Sequence, residues 1–333
     1  MKTAINSEIL GGVSAATQEL RLRCPQCGSF LGRLRDDEFP PEFLLSCTTC
    51  YFQMLNEDGI WRALPALRAE HFAQFISEYR TIREAEGRGS ANAEYYLSLP
   101  YKDVSGNNQA QWVIRSKTYR FFERKILPEI ERHVARDLNV LDLGAGNCWL
   151  SYRLSLRGHR PIAVDLLTSS LDGLGAAVQY QAKLPRLFPR FQAELNHLPF
   201  VDDQFDLAIF NASFHYSENY ACTLGEAIRC LRPGGAVIVA DTAWYSREES
   251  GMKMIMERRQ AFSNRYGFPS EAIASMEYLT DDRLAELEHE FNIKWRSYTP
   301  SYGLRWSMRP WMAKLKNKRE PSQFRIYVAV VNK

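Results

Sequence analysis

Short apolar segments alternate with longer segments of helical periodicity through the middle of the chain. The five apolar segments are residues 139–143, 161–165, 190–194, 205–211 and 236–241. The intervening segments have the spacing of helices at residues 147–157, 169–184 and 218–231. Apolar strands that alternate with helices are typical of a parallel sheet covered by helices on both faces. We therefore predict an α/β fold.

The pattern extends on both sides of this core. Before it, helical spacing covers residues 66–86 and 112–135, and a Gly-Arg-Gly-Ser break at residues 87–90 separates these two helices. After it, the pattern predicts a helix at residues 281–290 and strands at residues 293–298 and 324–331.

The composition of the 333 residues narrows the class of protein. Hydrophobic residues make up 45% and charged residues 24%, which excludes a disordered tail, a collagen or a coiled coil. The net charge of +3 is too small to indicate nucleic-acid binding by itself. No apolar run approaches the roughly 20 residues of a membrane helix, and residues 1–20 lack the apolar centre of a signal peptide. We expect a cytoplasmic protein without a membrane span.

Four of the seven cysteines form two Cys-x-x-Cys pairs, Cys24 with Cys27 and Cys47 with Cys50, and 19 residues separate the pairs. This is the spacing of a ribbon in which four thiolates hold a tetrahedral Zn²⁺. No histidine lies nearby to suggest an open catalytic position, so we interpret the zinc as structural. The alternatives are four unrelated thiols or redox-active pairs. Redox-active pairs are expected at a strand-to-helix junction, which residues 30–45 do not offer. The odd number of cysteines favours a reducing compartment.

A glycine turn follows the first core strand and precedes a helix. Gly144 and Gly146 allow the backbone to pass close to a ligand, and Asp165 ends the next strand, where a carboxylate can bind both hydroxyls of a ribose. A dinucleotide site needs Gly or Ala where this chain has Trp149. Asp142, just before the turn, would repel phosphates. Both features favour a cationic ligand without phosphate, a description that S-adenosylmethionine (SAM) fits.

Several motifs follow one another in the order typical of one enzyme family. They are D-x-G-x-G at residues 142–146, Asp165, Leu198-Pro199-Phe200 followed by Phe205-Asp206, and L-R-P-G-G at residues 231–235. With these motifs the chain resembles class I SAM-dependent methyltransferases of the type 11 group, clearly over residues 138–241 and more loosely to 331. The resemblance implies a Rossmann-like sheet of seven strands, SAM as the methyl donor and methyl transfer as the reaction.

The resemblance also implies which residues bind SAM. The glycine turn lines the methionine part with Asp142 near its amino group, and Asp165 binds the ribose. Glu194 takes the position of an acid that faces the adenine amino group, and Asn211 lies beside the sulfonium. The predicted cofactor-binding residues are Arg115, Asp142, Gly144, Ala145, Gly146, Asp165, Leu166, Glu194, Leu195, Asn196 and Asn211.

The sequence gives less specific motifs for the residues that contact the methyl acceptor than for those that bind SAM. Residues 211–216 lack the N/D-P-P-Y/F motif of methyltransferases that modify exocyclic amines of nucleic-acid bases. We predict His215 and Tyr216 as catalytic residues near the transferred methyl group, because a histidine can take a proton from an attacking hydroxyl or amine. The alternative is that His215 only packs and that the enzyme acts by alignment. Five residues before the core are predicted either to form a lid, in which Arg115 meets the cofactor carboxylate, or only to pack. They are Tyr95, Tyr96, Trp112, Arg115 and Tyr119.

The cysteine ribbon resembles the small zinc-ribbon activator subunits of methyltransferases, and some rRNA guanine methyltransferases also carry an N-terminal zinc site.

Residues 305–319 contain six basic residues, no acid and two interleaved tryptophans. This pattern suits RNA or phosphate binding, or only a solvated helix face.

The leading hypothesis is SAM-dependent methyl transfer to a small or medium organic acceptor, such as a metabolite, a lipid or a natural product. The alternatives are an RNA methyltransferase that uses the ribbon for recognition, a non-catalytic SAM-binding adaptor whose ribbon binds a protein partner, and a dehydrogenase, which Trp149 disfavours. We predict a zinc ribbon at residues 21–66, a helical linker and lid at 67–111, and a methyltransferase domain at 112–333 with insertions near 246–278 and 300–320.

Overall fold

The computed structural model describes residues 19–35 and 43–333. The expectation that the chain has no signal peptide rests on residues 1–20, most of which lie outside the described residues. Part of the predicted ribbon also lies outside them. The described strands are β1 (Glu19–Arg23), β2 (Phe30–Arg35), β3 (Leu44–Ser46), β4 (Gln53–Glu57), β5 (Ile60–Arg62), β6 (Asn139–Leu143), β7 (Arg160–Asp165), β8 (Arg190–Gln192), β9 (Phe205–Asn211), β10 (Leu231–Trp244), β11 (Arg296–Tyr298) and β12 (Gln323–Val330).

The described α-helices are α1 (Ala66–Ala85), α2 (Ala93–Ser98), α3 (Gln109–Phe121), α4 (Leu127–Val134), α5 (Trp149–Ser155), α6 (Tyr220–Cys230), α7 (Glu248–Tyr266), α8 (Asp281–Phe291), α9 (Leu304–Ser307) and α10 (Arg309–Leu315). A π-helical turn at Phe122–Ile126 joins α3 to α4. A 3-10 helix at Leu174–Lys183 stands where the spacing predicted an α-helix. Among the described residues, no helix combines the length and the apolar character that spanning a bilayer requires.

Seven of the described strands form the predicted Rossmann-like sheet. Strands β8, β7, β6, β9 and β10 are parallel neighbours in that order. β12 pairs antiparallel with β10, and β11 pairs antiparallel with β12 at the edge. The α/β fold class is therefore confirmed, with a mixed sheet. The chain order reverses between β6 and β9, so the carboxyl ends of these strands open the crevice where such sheets bind ligands.

Helices cover both faces of this sheet because successive side chains of a strand point to opposite faces. In β6, Val140 lies in one core with Trp112 of α3 and Leu127 of α4. The next residue, Leu141, lies in a second core with Leu224 of α6. Burial on both faces explains why most side chains of these strands are apolar.

The cysteine ribbon is built onto one edge of the same sheet. β5 pairs in parallel with β8, and β4 and β3 extend the sheet beyond it through antiparallel pairing. On β1, the amide of Arg23 donates a hydrogen bond of 3.0 Å to the carbonyl oxygen of Pro199. Leu22 and Trp61 lie in one buried core with Phe200. The ribbon thus buries Leu22 and Trp61 against the sheet, and α1 begins soon after β5 ends.

Candidate cofactor and acceptor site

A glycine turn at the carboxyl end of β6 forms the floor of the site. Gly144 has a φ of +74°, and its amide donates a hydrogen bond of 2.8 Å to the carbonyl oxygen of Val164. A Cβ at this position would lie 2.2 Å from the Cβ of Ser213, so only glycine fits between the two strand ends. At Gly146, with a φ of +54°, a Cβ would meet nothing within 4 Å. The turn is therefore packed at its first glycine and open at its second.

Asp165 ends β7 and presents its carboxylate beside this turn. Oδ2 accepts a hydrogen bond from the amide of Gly146 and Oδ1 accepts one from the amide of Leu167, both of 2.8 Å. Burial raises the pKa of Asp165, and these two backbone hydrogen bonds act against that shift. Each carboxylate oxygen keeps a second lone pair, so the group can accept hydrogen bonds from two neighbouring hydroxyls.

Asp142 lies inside β6, just before the turn, and is almost completely buried. Its Oδ2 accepts hydrogen bonds from the amide of Ser151 (3.1 Å) and from the hydroxyl of the same residue (2.7 Å). Burial raises the pKa of Asp142 to about 7, and the hydrogen bonds from Ser151 oppose the increase. A cation beside Asp142 would favour the ionised form of its carboxyl group, so this group suits a cationic ligand.

One cavity joins these groups and measures about 900 Å³, including the part that is open to solvent. The predicted residues that line it are Arg115, Asp142, Gly144, Ala145, Gly146, Asp165, Leu166, Leu195, Asn211 and Tyr216. They come from the carboxyl ends of four neighbouring strands and from α3. A site of this size suits a small-molecule ligand. We call it the first cavity.

Two residues of the predicted cofactor set do not line the first cavity. Glu194 is buried, and both of its carboxylate oxygens bind the guanidinium of Arg68, with the closest pair 2.7 Å apart. His197 lies 3.1 Å from the same carboxylate. Asn196 accepts a hydrogen bond from the hydroxyl of Thr223 through its Oδ1. The carboxylate of Glu194 thus serves to hold α1 on the sheet, and its role at adenine stays a prediction.

Helix α1 lies in the segment predicted as linker and lid and covers the first cavity, but the sequence did not single out the residues of α1 that line it. Phe75, Ile76, Tyr79 and Arg83 line the cavity from this helix. The rings of Tyr79 and Tyr216 lie edge to face with their centres 5.6 Å apart. Helical spacing predicted α1 but carried no signal of what its apolar face packs against. The other lining residues that the sequence did not single out for the cofactor are Asn147, Trp149, Leu150, Leu167, Ala193, Ala212 and Ser213.

The proposed lid residues divide between the cavity and the core. Arg115 lines the first cavity, and its guanidinium lies 5.1 Å from the ring centre of Trp112. Tyr95 and Tyr96 are fully buried in the core and do not line the cavity. The hydroxyl of Tyr96 donates a hydrogen bond of 2.7 Å to the carbonyl oxygen of Leu171.

A second cavity adjoins the first and measures about 1380 Å³, again including its open part. The two cavities share Tyr79, Arg83, Arg115, Ala212 and Tyr216 in their walls. The residues that line only the second cavity are Ala110, Gln111, Ile114, His215, Asp241, Ala243, Met254, Arg258, Glu277, Trp306 and Phe324. Tyr216 and Tyr79 therefore belong to a wall that the two cavities have in common.

The second cavity has two buried polar groups with incomplete hydrogen bonding. His215 lines the second and not the first cavity, its Nδ1 has no hydrogen-bond partner among the described residues, and burial lowers its pKa to about 4. Asp241, inside β10, has a buried Oδ2 that also lacks a partner in the described part of the chain. Burial raises the pKa of Asp241. Glu277 differs, because both of its oxygens bind Arg258.

The four ribbon cysteines lie together as their spacing predicted. All four Sγ atoms lie within 4.8 Å of one another, and the pairs Cys24–Cys50 and Cys27–Cys47 are 3.5 Å apart. Four thiolates at the Zn–S distance of about 2.3 Å would be about 3.8 Å apart in a tetrahedron. The cluster is therefore compatible with a tetrahedral metal ion.

Comparison with known proteins finds one matching family, described as "Methyltransferase domain", over residues 141–239. A malonyl-[acyl-carrier protein] O-methyltransferase of Yersinia pestis is 31% identical over 112 residues, which are 34% of this chain and 39% of that protein. An uncharacterized methyltransferase of Mycobacterium tuberculosis is 33% identical over 110 residues, 33% of this chain and 41% of that protein. The chain thus spans about two fifths of the length of these two relatives.

Solved structures with a similar arrangement include two methyltransferases. The 1,6-didemethyltoxoflavin-N1-methyltransferase of Burkholderia thailandensis, solved with S-adenosylhomocysteine, has 18% identity and a TM-score of 0.41 over 67% of this chain and 89% of that one. A SAM-dependent methyltransferase of Methanosarcina mazei has 15% identity and a TM-score of 0.40 over 62% of this chain and 97% of that one.

Proposed function

We propose that this protein transfers the methyl group of SAM to a small or medium organic acceptor. The observation that carries the proposal is the glycine turn and Asp165 on a cavity that shares part of its wall with a second one. The match of residues 141–239 to the methyltransferase domain supports the same donor. The names of the malonyl-[acyl-carrier protein] O-methyltransferases support an organic acceptor rather than a nucleic acid.

The lining of the first cavity suits this donor. SAM supplies an electrophilic methyl group on a sulfonium that becomes neutral on transfer. Asp165 accepts hydrogen bonds from the two ribose hydroxyls, and the carboxyl group of Asp142 pairs with the cationic amino group. Arg115 has no ion pair among the described residues, so its guanidinium is free to bind the cofactor carboxylate. Tyr216 and Tyr79 close the cavity on the side of the second one.

The second cavity holds the acceptor. An acceptor hydroxyl or amine must lose its proton as it takes the methyl group, and the partnerless Oδ2 of Asp241 is placed to receive that proton. His215 is the other candidate, since its neutral ring has an unpaired Nδ1. Burial lowers the pKa of His215 to about 4, so its ring is neutral at neutral pH, and burial raises the pKa of Asp241. Most of the catalysis comes from in-line alignment of acceptor and sulfonium.

We propose that the four cysteines bind one structural Zn²⁺. Cys24, Cys27, Cys47 and Cys50 supply a complete tetrahedral set of thiolates, which leaves no open position for catalysis. The ion would stabilise the ribbon, and the ribbon in turn supports the start of α1.

Calorimetric titration of the purified protein with SAM, together with transfer of a labelled methyl group into a cell extract, tests the donor and the acceptor class. We expect SAM binding that Asp165→Ala weakens by roughly a hundredfold or more, because two hydrogen bonds to a charged group are lost. We also expect label in the small-molecule or lipid pool. Label in RNA would favour RNA methylation, and no SAM binding would refute the proposed function.

A further inference from the structure

The helical segment of α9 and α10 carries an exposed apolar ridge. Leu304, Met308, Trp311 and Leu315 are spaced by four, three and four residues and therefore lie on one side of a helix. Their exposed fractions are 79%, 40%, 61% and 67%. The amide of Met308 bonds to the carbonyl oxygen of Leu304 and that of Met312 to Met308, both at 3.0 Å, so the helical path continues through the junction. We call these four side chains the apolar ridge.

The opposite side of this segment forms a wall of the second cavity. Trp306 lines that cavity, and its ring stacks on Phe324 with the centres 5.6 Å apart and lies 5.1 Å from the ring of Tyr302. Lys117 of α3 donates a hydrogen bond of 2.7 Å to the carbonyl oxygen of Tyr302. The apolar ridge is thus the outer surface of the element whose inner surface contacts the acceptor cavity.

Unpaired positive charge flanks the ridge. Among the six basic residues between positions 305 and 319, Arg319 binds Glu257 of α7 and Arg309 lies over the ring of Trp306. The side chains with no hydrogen bond or ion pair in the described part of the chain are Arg305, Lys314, Lys316 and Lys318, and all four are exposed. Helix α7, held beside this segment by Glu257, adds two more exposed apolar side chains, Met252 and Met256.

We propose that the apolar ridge binds the surface of an anionic lipid bilayer, and that the acceptor is an amphiphilic molecule that reaches the second cavity from that surface. Apolar side chains on one side of a helix, with lysine and arginine beside them, bury at the boundary of headgroups and acyl chains while the cations meet anionic headgroups. The second part rests on the proposed function, because it takes the second cavity as the acceptor site.

A bilayer fits this surface better than RNA does. A basic groove for single-stranded RNA uses aromatic rings on which bases stack. Trp311 is the one aromatic side chain of the ridge, and Leu304, Met308 and Leu315 offer no flat ring. These three side chains gain from removal of water by acyl chains, which RNA does not provide.

Sedimentation of the full-length protein with vesicles tests this surface. We compare phosphatidylcholine vesicles with vesicles that also contain phosphatidylglycerol, at about 0.1 M salt, where the Debye length is about 10 Å. We expect binding to the anionic vesicles that weakens as salt is raised. The double change Trp311→Ser with Leu315→Ser and the double change Lys314→Glu with Lys318→Glu should each reduce it at least about tenfold. Leu67→Ser, at a position 80% exposed on α1, is the matched control and should bind as the unchanged protein does.

Three results would overturn the proposal. The first is absence of binding to anionic vesicles, and the second is an equal loss of vesicle binding in the Leu67→Ser control. The third is binding of a single-stranded RNA that is tighter than vesicle binding and is abolished by the same changes in the apolar ridge. Titration with SAM separates this inference from the proposed function. Both double variants should bind SAM with unchanged affinity, and vesicle binding by a protein that fails to bind SAM would leave the surface established and the proposed function refuted.

Discussion

The hydroxyl of Thr118 on α3 donates a hydrogen bond of 2.6 Å to Oδ1 of Asp241, which leaves Oδ2 of that carboxylate without a partner among the described residues. The hydroxyl of Tyr302 lies 2.9 Å from the same threonine oxygen. Asp241 itself has a φ of +52°, at a point where the register of β10 against β12 shifts. A bulge of this kind redirects a side chain and costs backbone strain, which is a common feature of functional sites.

Asp241→Asn should therefore reduce methyl transfer by about a hundredfold or more, because a positioned proton acceptor contributes that much. The amide keeps an oxygen for the bond from Thr118, so SAM affinity and thermal stability should change little.

His215→Ala should also slow turnover without weakening SAM binding. The rate of label incorporation from SAM measures both, and Asp282→Asn, on the exposed start of α8, is the control. An unaltered rate would show that the changed residue only packs.

SAM affinity should depend on pH through Asp142. Its pKa of about 7 means that the free protein carries a proton on this carboxyl below neutral pH. That proton must leave before the carboxylate can pair with the amino group, so each pH unit below 7 should weaken binding by up to about tenfold. Titration at several pH values in buffers of different ionisation enthalpy measures both affinity and proton release. Asp142→Asn should bind more weakly and remove the proton release; a full proton release in this variant would assign it to another group.

The raised pKa of Asp142 also makes the stability of the protein depend on pH. Because the pKa of Asp142 in the folded state lies above its value in the unfolded chain, ionisation favours unfolding. The protein without SAM should thus lose stability as the pH rises from about 4 to about 7, and saturating SAM should reverse part of the loss. Thermal melts across this range, with and without SAM, measure the effect.

Removal of the proposed zinc should weaken SAM binding as well as unfold the ribbon. β5 of the ribbon precedes α1, whose Phe75 and Tyr79 line the first cavity. A chelator should abolish the ribbon structure, because a small domain of this kind depends on its metal, and α1 should then lose its support. Metal analysis with calorimetric titration tests this, and restored zinc should restore the affinity. Loss of metal with unchanged SAM affinity would contradict the coupling.

Glu194→Gln should reduce stability more than it reduces SAM affinity. The change removes the ion pair of a buried carboxylate with Arg68, whose side chain is about one third exposed, so we expect a loss of roughly 1–3 kcal/mol. Arg68→Met should cause a similar loss, and the double variant should lose less than the sum of the two. Thermal unfolding and SAM titration of all three variants provide the measurement. A tenfold loss of SAM affinity at unchanged stability would instead support the adenine role predicted from the sequence.

The sequence by itself was sufficient for the features that depend on neighbouring residues. The apolar runs at residues 139–143 and 205–211 became β6 and β9 with the predicted bounds, because strands buried on both faces need continuous apolar side chains. The glycine turn and Asp165, both singled out from the sequence, lie side by side, since the carboxyl ends of adjacent parallel strands share one edge of the sheet. The two cysteine pairs also lie together, as their spacing predicted.

Only the tertiary structure decided which distant groups meet. Glu194 is paired with Arg68, 126 positions away, and α1 covers the first cavity because that ion pair and the ribbon hold it there. The periodicity of α1 shows which face is apolar but not what that face packs against. The free oxygen of Asp241 depends on a bulge in β10 and on a hydroxyl of α3, two elements far apart in the chain. Local patterns determine elements and turns, whereas the partner of a side chain is set by the packing of the whole chain.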